Sequence, residues 1–144
     1  MKTRMNLFAV VPEGYNAMMS FEKYMATTGL TNTHKELIKI RASQINGCAF
    51  CLDMHTKDAR KYGETEQRIY TVSAWRDTPF FTKEEQAILA LTEQVTLISG
   101  HVSDEVYENA VAVLGEKYVA EVIMAIIVIN GWNRIAITTG MQPK

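Results

Sequence analysis

Apolar residues recur along most of this chain at the three- and four-residue spacing of an amphipathic α-helix. Almost no segment alternates between apolar and polar residues, as a half-buried strand would. The pattern therefore predicts an all-α fold. By number, the predicted helices cover about 13–28, 33–45, 48–61, 64–75, 83–100, 104–115 and 117–139.

Turn and capping residues mark the ends of several of these helices. Asn46-Gly47 is a turn signal between the second and third helices. Either Asn32 or Thr33 is expected to cap the second helix, because both side chains can accept a hydrogen bond from a free backbone N–H. Thr82, followed three residues later by Glu85, has the pattern of a capping box.

The last predicted helix is apolar nearly all round, which indicates a buried position. Its β-branched run from Ile126 to Ile129 would also suit a strand, but the chain offers no strand to pair with it. A helix this apolar in such a small protein exposes more apolar surface than one subunit can easily cover. We therefore expect the subunits to associate. The first few residues and the tail after Gly140 are expected to be loose ends.

Composition and charge restrict the class of protein. The 144 residues are 47% hydrophobic and 22% charged, which is ordinary for one globular domain, taken here as residues 1–144. The net charge is -1 and no basic stripe is present, so neither nucleic acid nor a membrane is expected as a partner. The longest apolar run, Val122 to Ile129, is shorter than the roughly 20 residues of a membrane span. Without a signal-peptide pattern, we expect a cytoplasmic protein.

The chemistry is expected at the two cysteines, Cys48 and Cys51, which form a single Cys-x-x-Cys motif. On a helix this spacing brings the sulfurs onto neighbouring turns, close enough for a disulfide. His55 follows Cys51 by four residues, so its imidazole lies over the same helix face. In a cytoplasmic chain, such a pair is more typical of redox chemistry than of a structural disulfide framework.

The helix N-terminus and the neighbouring imidazole would activate different sulfurs. A thiol must become a thiolate to attack oxygen or sulfur, and a helix N-terminus or a neighbouring imidazole favours that form. The helix terminus favours Cys48, which is expected to be the more exposed of the two, whereas His55 favours Cys51. Glu36 lies at the edge of the apolar stripe of the preceding helix, where it could orient His55 and exchange a proton with it.

Other interpretations of these residues stay open at this point. Cys48, Cys51 and His55 would also suit a zinc site, although one of the other two histidines would have to supply a fourth ligand. The cysteines could instead be small buried core residues. Glu36 could be a structural helix cap or an ion-pair partner.

The order of these residues resembles a known family. Glu36 is followed by Arg-Ala-Ser-Gln-Ile-Asn-Gly-Cys at 41–48, then by Cys51 and His55. This spacing is similar to the core motif of the AhpD-like alkyl hydroperoxidases, which belong to the carboxymuconolactone decarboxylase superfamily. The resemblance covers most of the chain and continues at residues 59–63, 75–76, 81–82, 90–93 and 129–135.

The resemblance implies a single-domain, all-helical, AhpD-like subunit that assembles into a homo-trimer or homo-hexamer. It implies that Cys51 attacks the peroxide, that Cys48 resolves the product as a disulfide, and that Glu36 and His55 relay protons. The substrate would be a hydroperoxide and the reductant a dithiol, either a lipoyl protein, a thioredoxin-like protein or a small thiol. We expect no cofactor and no metal ion.

One residue departs from the family pattern. The well-studied peroxidases of the family carry a histidine between the cysteines, where this chain has Phe50, and an apolar ring cannot relay a proton. The founding decarboxylases lack the cysteine pair, so no decarboxylase activity is expected. The sequence thus predicts a cysteine-based hydroperoxide reductase or disulfide reductase, an oxidoreductase of the antioxidant, peroxiredoxin-like type. The alternative is a non-catalytic redox sensor or assembly protein that uses the same cysteine pair.

Overall fold

The computed structural model describes residues 2–144 as a single all-helical domain, and no strand occurs within them. The all-α prediction is therefore confirmed. Two short 3-10 helices, Val72–Asp77 and Ile98–Gly100, connect α-helices. The α-helices are α1 (Leu7–Val10), α2 (Pro12–Met25), α3 (Asn32–Asn46), α4 (Ala49–Lys61), α5 (Glu66–Thr71), α6 (Lys83–Thr96), α7 (Asp104–Leu114) and α8 (Glu116–Thr139).

Side-chain caps start several of these helices. The capping box at α6 is confirmed, because the Thr82 hydroxyl accepts the Glu85 N–H and the Glu85 carboxylate accepts the Thr82 N–H. The cap of α3 was predicted one or two residues too late. Thr31 fills that position, and its hydroxyl accepts the His34 N–H at 3.1 Å.

Two predicted helices were too long, because each changes to a tighter 3-10 turn before its end. The predicted helix 64–75 is α5 followed by Val72–Asp77, and the predicted helix 83–100 is α6 followed by Ile98–Gly100. Hydrophobic spacing hardly separates these two helix types over a few residues, so the pattern continued across both junctions.

The core is organised around α3, which packs against α4, α6 and α8. One buried cluster lies between α3, α6, α7 and α8, and a second lies between α3, α4, α5 and the 3-10 segment that holds Trp75. Fully buried side chains of α3 occur in both clusters, namely Ile38 and Ala42 in the first and Leu37 and Ile40 in the second. Helix α3 is therefore buried on two faces, and two of its polar residues, Glu36 and Ser43, are buried as well.

Helix α8 is less buried than its composition predicts. Its buried side chains include Val122, Ile126 and Ile129, whereas Ile127 is 47% exposed. By length and composition α8 could cross a membrane, yet it packs in this domain against α2, α3, α6 and α7. Its open side forms an apolar groove of about 660 Å³ with α6 and α7. In the predicted homo-trimer or homo-hexamer, this groove would be available for contact between subunits. The assembly itself stays a prediction.

The chain start is not the loose end that its sequence suggests. The Arg4 N–H donates to the Thr139 carbonyl at 2.8 Å, and its guanidinium donates to the Thr138 carbonyl. Gly140 ends α8 in the left-handed region, and a Cβ there would lie 2.5 Å from the Lys2 carbonyl oxygen. The close approach of these two segments at Gly140 therefore requires a glycine.

A partly buried carboxylate, that of Glu93, joins three parts of the domain. Glu93 on α6 accepts hydrogen bonds from Arg41 on α3 at 2.9 Å, from the Trp75 indole at 2.8 Å, and from Arg76 at 2.7 Å. Arg76 also stacks over the Trp75 ring. Burial acts to raise the pKa of Glu93, but these three donors outweigh it and hold the pKa below its ordinary value of 4.5.

Replacing Glu93 should therefore destabilise the fold in a pH-dependent way. Glu93→Gln should lower the free energy of unfolding near neutral pH by about 1–3 kcal/mol, because the amide accepts fewer and weaker hydrogen bonds from the two arginines. Because the pKa is lower in the folded chain, the stabilisation is complete above the ordinary value of 4.5 and is lost as the pH falls through the lowered pKa.

Urea unfolding of wild type and variant at neutral and acidic pH tests this prediction. Glu108→Gln is the matched control, because Glu108 is exposed and makes no side-chain hydrogen bond or ion pair within residues 2–144. A Glu93→Gln difference that stays the same at both pH values would show that the charge of Glu93 does not carry the effect.

Candidate redox site

The site begins at the turn between α3 and α4. Gly47 ends α3 in the left-handed conformation with φ 70°, which a residue with a side chain rarely adopts. The Cys48 N–H then returns to the Ser43 carbonyl at 3.0 Å. Cys48 itself is the N-cap of α4, and its Sγ accepts the Cys51 N–H at 3.3 Å. The turn thus places the first sulfur at the positive end of a helix.

Polar side chains fasten this turn to the middle of α8. The Asn46 amide donates to the side-chain oxygens of both Asn130 and Asn133, each at 2.9 Å. The Asn133 amide in turn donates to the Ser43 hydroxyl at 3.0 Å, and both of those residues are fully buried. The polar residues that interrupt the apolar pattern of α8 are therefore the ones that hold the start of α4.

Cys48 and Cys51 form a disulfide, with their Cα atoms 5.3 Å apart. The prediction that Cys48 is the more exposed cysteine was wrong, because Cys48 is 1% and Cys51 2% exposed. Ala136 and the partly buried Phe50 and Ile137 pack against the two cysteines. The end of α8, which the sequence does not connect with the cysteines, therefore closes the site from solvent.

A second pair of candidate residues, Glu36 and His55, connects α3 with α4. His55 Nδ1 lies 3.3 Å from Glu36 Oε2, and the two side chains are only 9% and 6% exposed. The other Glu36 oxygen, Oε1, accepts a hydrogen bond from Lys39 Nζ at 3.2 Å. Burial acts to raise the pKa of Glu36, but His55 and Lys39 outweigh it and lower the pKa below its ordinary value. Glu36 is therefore a carboxylate at neutral pH.

The four predicted site residues thus occur as two adjoining pairs. Cys48 and Cys51 are bonded, Glu36 faces His55, and His55 follows Cys51 by one turn of α4. No hydrogen bond joins His55 to either sulfur in the part of the chain that the structure describes. This arrangement puts the Glu36–His55 pair beside the disulfide, with Glu36 on α3 and with His55 on the same helix as Cys51.

The predicted alternative of a cysteine-based zinc site has no support in this oxidised state. Both thiols are used by the disulfide. His34 Nδ1 is 2.6 Å from the Tyr118 hydroxyl, and His101 is exposed beyond α6. Neither histidine therefore lies in a position to complete a site with the cysteines.

Sequence reasoning missed Lys39, although its spacing offered a signal. Lys39 follows Glu36 by three residues on α3, and this spacing places both on one helix face. Ile137, which packs over the cysteines, gave no comparable signal in the sequence. Its contact with them depends on how α8 packs across α4.

The fold and the buried Cys-x-x-Cys define a class of helical proteins, and comparison with known proteins gives the family. The sequence model of the carboxymuconolactone decarboxylase family matches residues 12–94, which is more than half of the chain. The chain therefore belongs to that family. A relative from Bacillus subtilis (strain 168), the uncharacterized protein YdfG, is 48% identical over 141 residues, which are 97% of this chain and 96% of YdfG.

Two solved structures share the fold. ATU0492 from Agrobacterium tumefaciens, a protein of unknown function provisionally named antioxidant defence protein AhpD, is 40% identical with a TM-score of 0.96. The match covers 99% of both chains, so the AhpD-like resemblance is confirmed. The debrominase Bmp8 is 17% identical with a TM-score of 0.85, covering 95% of this chain and 74% of Bmp8. At that identity the likeness shows the fold alone.

The packing of Ile137 over the disulfide predicts that this side chain limits the access of reductants to the sulfurs. Ile137→Ala should make reduction of the Cys48–Cys51 disulfide by a small dithiol severalfold faster, because exchange requires a direct approach to a sulfur. Ile127→Ala is the matched control, since Ile127 is an exposed isoleucine on the same helix.

Stopped-flow reduction, followed by quenching and thiol counting, gives both rates. Equal rates for Ile137→Ala and wild type would mean that Ile137 does not limit access to the sulfurs. Unfolding midpoints of the variants separate easier access from general loosening of the domain.

Proposed function

We propose that this protein is a cysteine-based oxidoreductase that reduces hydroperoxides, with Cys51 as the attacking sulfur and Cys48 as the resolving one. The observation that carries the proposal is the Cys48–Cys51 disulfide at the start of α4, with the buried Glu36–His55 pair one turn further on. A redox pair next to an acid–base pair is what peroxide reduction requires.

In the first step the Cys51 thiolate attacks the outer oxygen of a hydroperoxide. The S–O bond forms, the O–O bond breaks, and the alkoxide takes a proton to leave as an alcohol. Cys51 becomes a sulfenic acid, and two electrons have passed to the peroxide. His55 receives the Cys51 thiol proton and returns it to the departing oxygen, and Glu36 stabilises the imidazolium between these two events.

In the second step Cys48 sulfur attacks the sulfenic sulfur of Cys51. The S–S bond forms, the S–O bond breaks, and hydroxide leaves with the Cys48 proton as water. An external dithiol then reduces the disulfide and becomes a disulfide itself, which closes the cycle. Attack on a protein disulfide instead of a peroxide would use the same sulfurs and is the disulfide reductase variant of this proposal.

Phe50 sets a limit on the peroxidase activity. Its ring packs partly buried against the disulfide and offers no proton to a departing oxygen. Proton supply at the sulfurs then depends on His55 alone. We therefore propose slower peroxide turnover than in relatives with a histidine between the cysteines.

The provisional name of ATU0492 supports an antioxidant role, and Bmp8 illustrates that the fold also serves other chemistry. The runner-up function, a redox sensor or assembly protein, would use the same disulfide without turnover. Repeated catalysis separates the two, because a sensor is oxidised once whereas an enzyme consumes peroxide for as long as dithiol is supplied.

The proposal predicts turnover that depends on both cysteines. Wild type with excess dithiothreitol should consume many equivalents of an organic hydroperoxide, whereas Cys51→Ser should consume no more than buffer with dithiol. Peroxide loss per mole of protein is the measurement. A single equivalent consumed by wild type would instead indicate the sensor, and full activity in Cys51→Ser would exclude Cys51 as the attacking sulfur.

The relay has its own test. His55→Ala should slow single-turnover oxidation of the reduced protein by about a hundredfold, as is typical when a general acid–base group is lost. Glu36→Gln should give a smaller loss, because it keeps the shape but removes the charge. Phe50→His should increase the rate if proton supply is limiting. Stopped-flow oxidation across a range of pH is the measurement.

His101→Ala is the control for the relay, because His101 is exposed and lies outside the site. Rates that stay at the wild-type value in both His55→Ala and Glu36→Gln would remove the relay from the mechanism. The helix N-terminus would then be the remaining source of thiolate stabilisation.

A further inference from the structure

A third side chain extends the Glu36–His55 pair. Asp58 lies one turn beyond His55 on α4, and one ligand atom from each of Glu36, His55 and Asp58 lies within 4.8 Å of the others. Glu36 and His55 are buried and Asp58 is half-buried, so the group spans the distance from the interior to the surface. Two carboxylates and an imidazole are a donor set that zinc and similar divalent ions accept.

The spacing within this group suits a tetrahedral ion. Metal–ligand bonds to nitrogen and oxygen are about 2.0–2.1 Å for zinc, so neighbouring ligand atoms of a tetrahedron lie about 3.3 Å apart. His55 Nδ1 and Glu36 Oε2 are 3.3 Å apart. Two of the ligand atoms therefore already have the separation that an ion needs, and a carboxylate oxygen of Asp58 lies within 4.8 Å of both.

The two buried atoms are also the ones that lack a hydrogen bond. Glu36 Oε2 and His55 Nδ1 face each other at 3.3 Å, and neither has a hydrogen-bond partner elsewhere among the described residues, although their side chains are more than nine-tenths buried. Lys39 occupies the other carboxylate oxygen, Oε1, and leaves Oε2 available. Buried polar atoms that make no well-aligned hydrogen bond are costly, and an ion bound between these two atoms would remove that cost.

A cavity beside Glu36 gives an ion a route into the site, and Lys61 competes with the ion for Asp58. Glu36 also lines a cavity of about 340 Å³ whose wall includes Lys39 and the exposed Tyr62. Water in that cavity could supply the fourth ligand. Lys61 lies 3.6 Å from Asp58, but its side chain is largely exposed, so it can leave the carboxylate at little energetic cost.

We propose that Glu36, His55 and Asp58 form a zinc-type divalent metal site, with one ion per chain. This metal site does not use the cysteines, so an ion can bind to it while Cys48 and Cys51 are joined in the disulfide. If the proposed function holds, the ion occupies the two groups of the proton relay, so zinc reversibly inhibits peroxide reduction.

Zinc titration of the oxidised protein tests the site independently of peroxidase activity. Because Cys48 and Cys51 are then a disulfide, they offer no thiolate ligand. Competition with a chromogenic chelator should give one zinc per wild-type chain. Asp58→Asn should weaken binding by at least about tenfold, and His55→Ala should weaken it further. Asp53→Asn is the matched control, as Asp53 lies on the same helix and pairs with Lys57.

Imidazole NMR signals give a second readout, since the chain has only three histidines. Zinc should shift the His55 signals before those of His34 and His101, and circular dichroism should show that the variants remain helical. Wild-type affinity in Asp58→Asn and His55→Ala, a loss of binding in His101→Ala, or no binding in wild type would each overturn the site. Binding without inhibition of turnover would leave the site in place and count against the proposed relay.

Discussion

The hydrogen bonds from Asn46 to Asn130 and Asn133 are the constraint on which the rest of the site depends. They pin the α3–α4 turn to α8, and Gly47 supplies the left-handed residue that lets the chain reverse there. Once the turn is fixed, α3 and α4 run back along one another, which brings Glu36 opposite His55. The same turn makes Cys48 the cap of α4 and so fixes the disulfide relative to the helix end. The polar contact between the α3–α4 turn and α8 therefore positions both the cysteine pair and the Glu36–His55 pair.

Burial gives the site its chemical character. The disulfide lies under Phe50, Ala136 and Ile137, so both sulfurs are shielded from solvent. A thiolate there needs local stabilisation, which the helix N-terminus offers at Cys48 and the imidazole offers near Cys51. Glu36 stays charged in the same interior because His55 and Lys39 compensate for its desolvation. The same burial restricts access to the two sulfurs from solvent.

Local signals in the sequence predicted most of the helices, since periodicity and caps such as Thr82 act within a few residues. The predicted site residues also fell on two helices joined by a recognisable turn at Asn46. The failures concern contacts between distant segments. The burial of Cys48 depends on the end of α8, and the anchoring of Arg4 depends on carbonyls more than a hundred residues away. Neither contact leaves a pattern in the neighbouring sequence.

The assignment of Cys51 as the attacking sulfur is the central claim of this account. Its most direct test is a sulfenic acid trap, applied to reduced Cys48→Ser and Cys51→Ser after one equivalent of hydroperoxide, with the modified residue located by peptide mass spectrometry. Cys48→Ser should carry the trapped group on Cys51, because no resolving thiol remains, and Cys51→Ser should carry none. Trapping on Cys48 in Cys51→Ser, with none on Cys51 in the other variant, would reverse the roles and contradict the account.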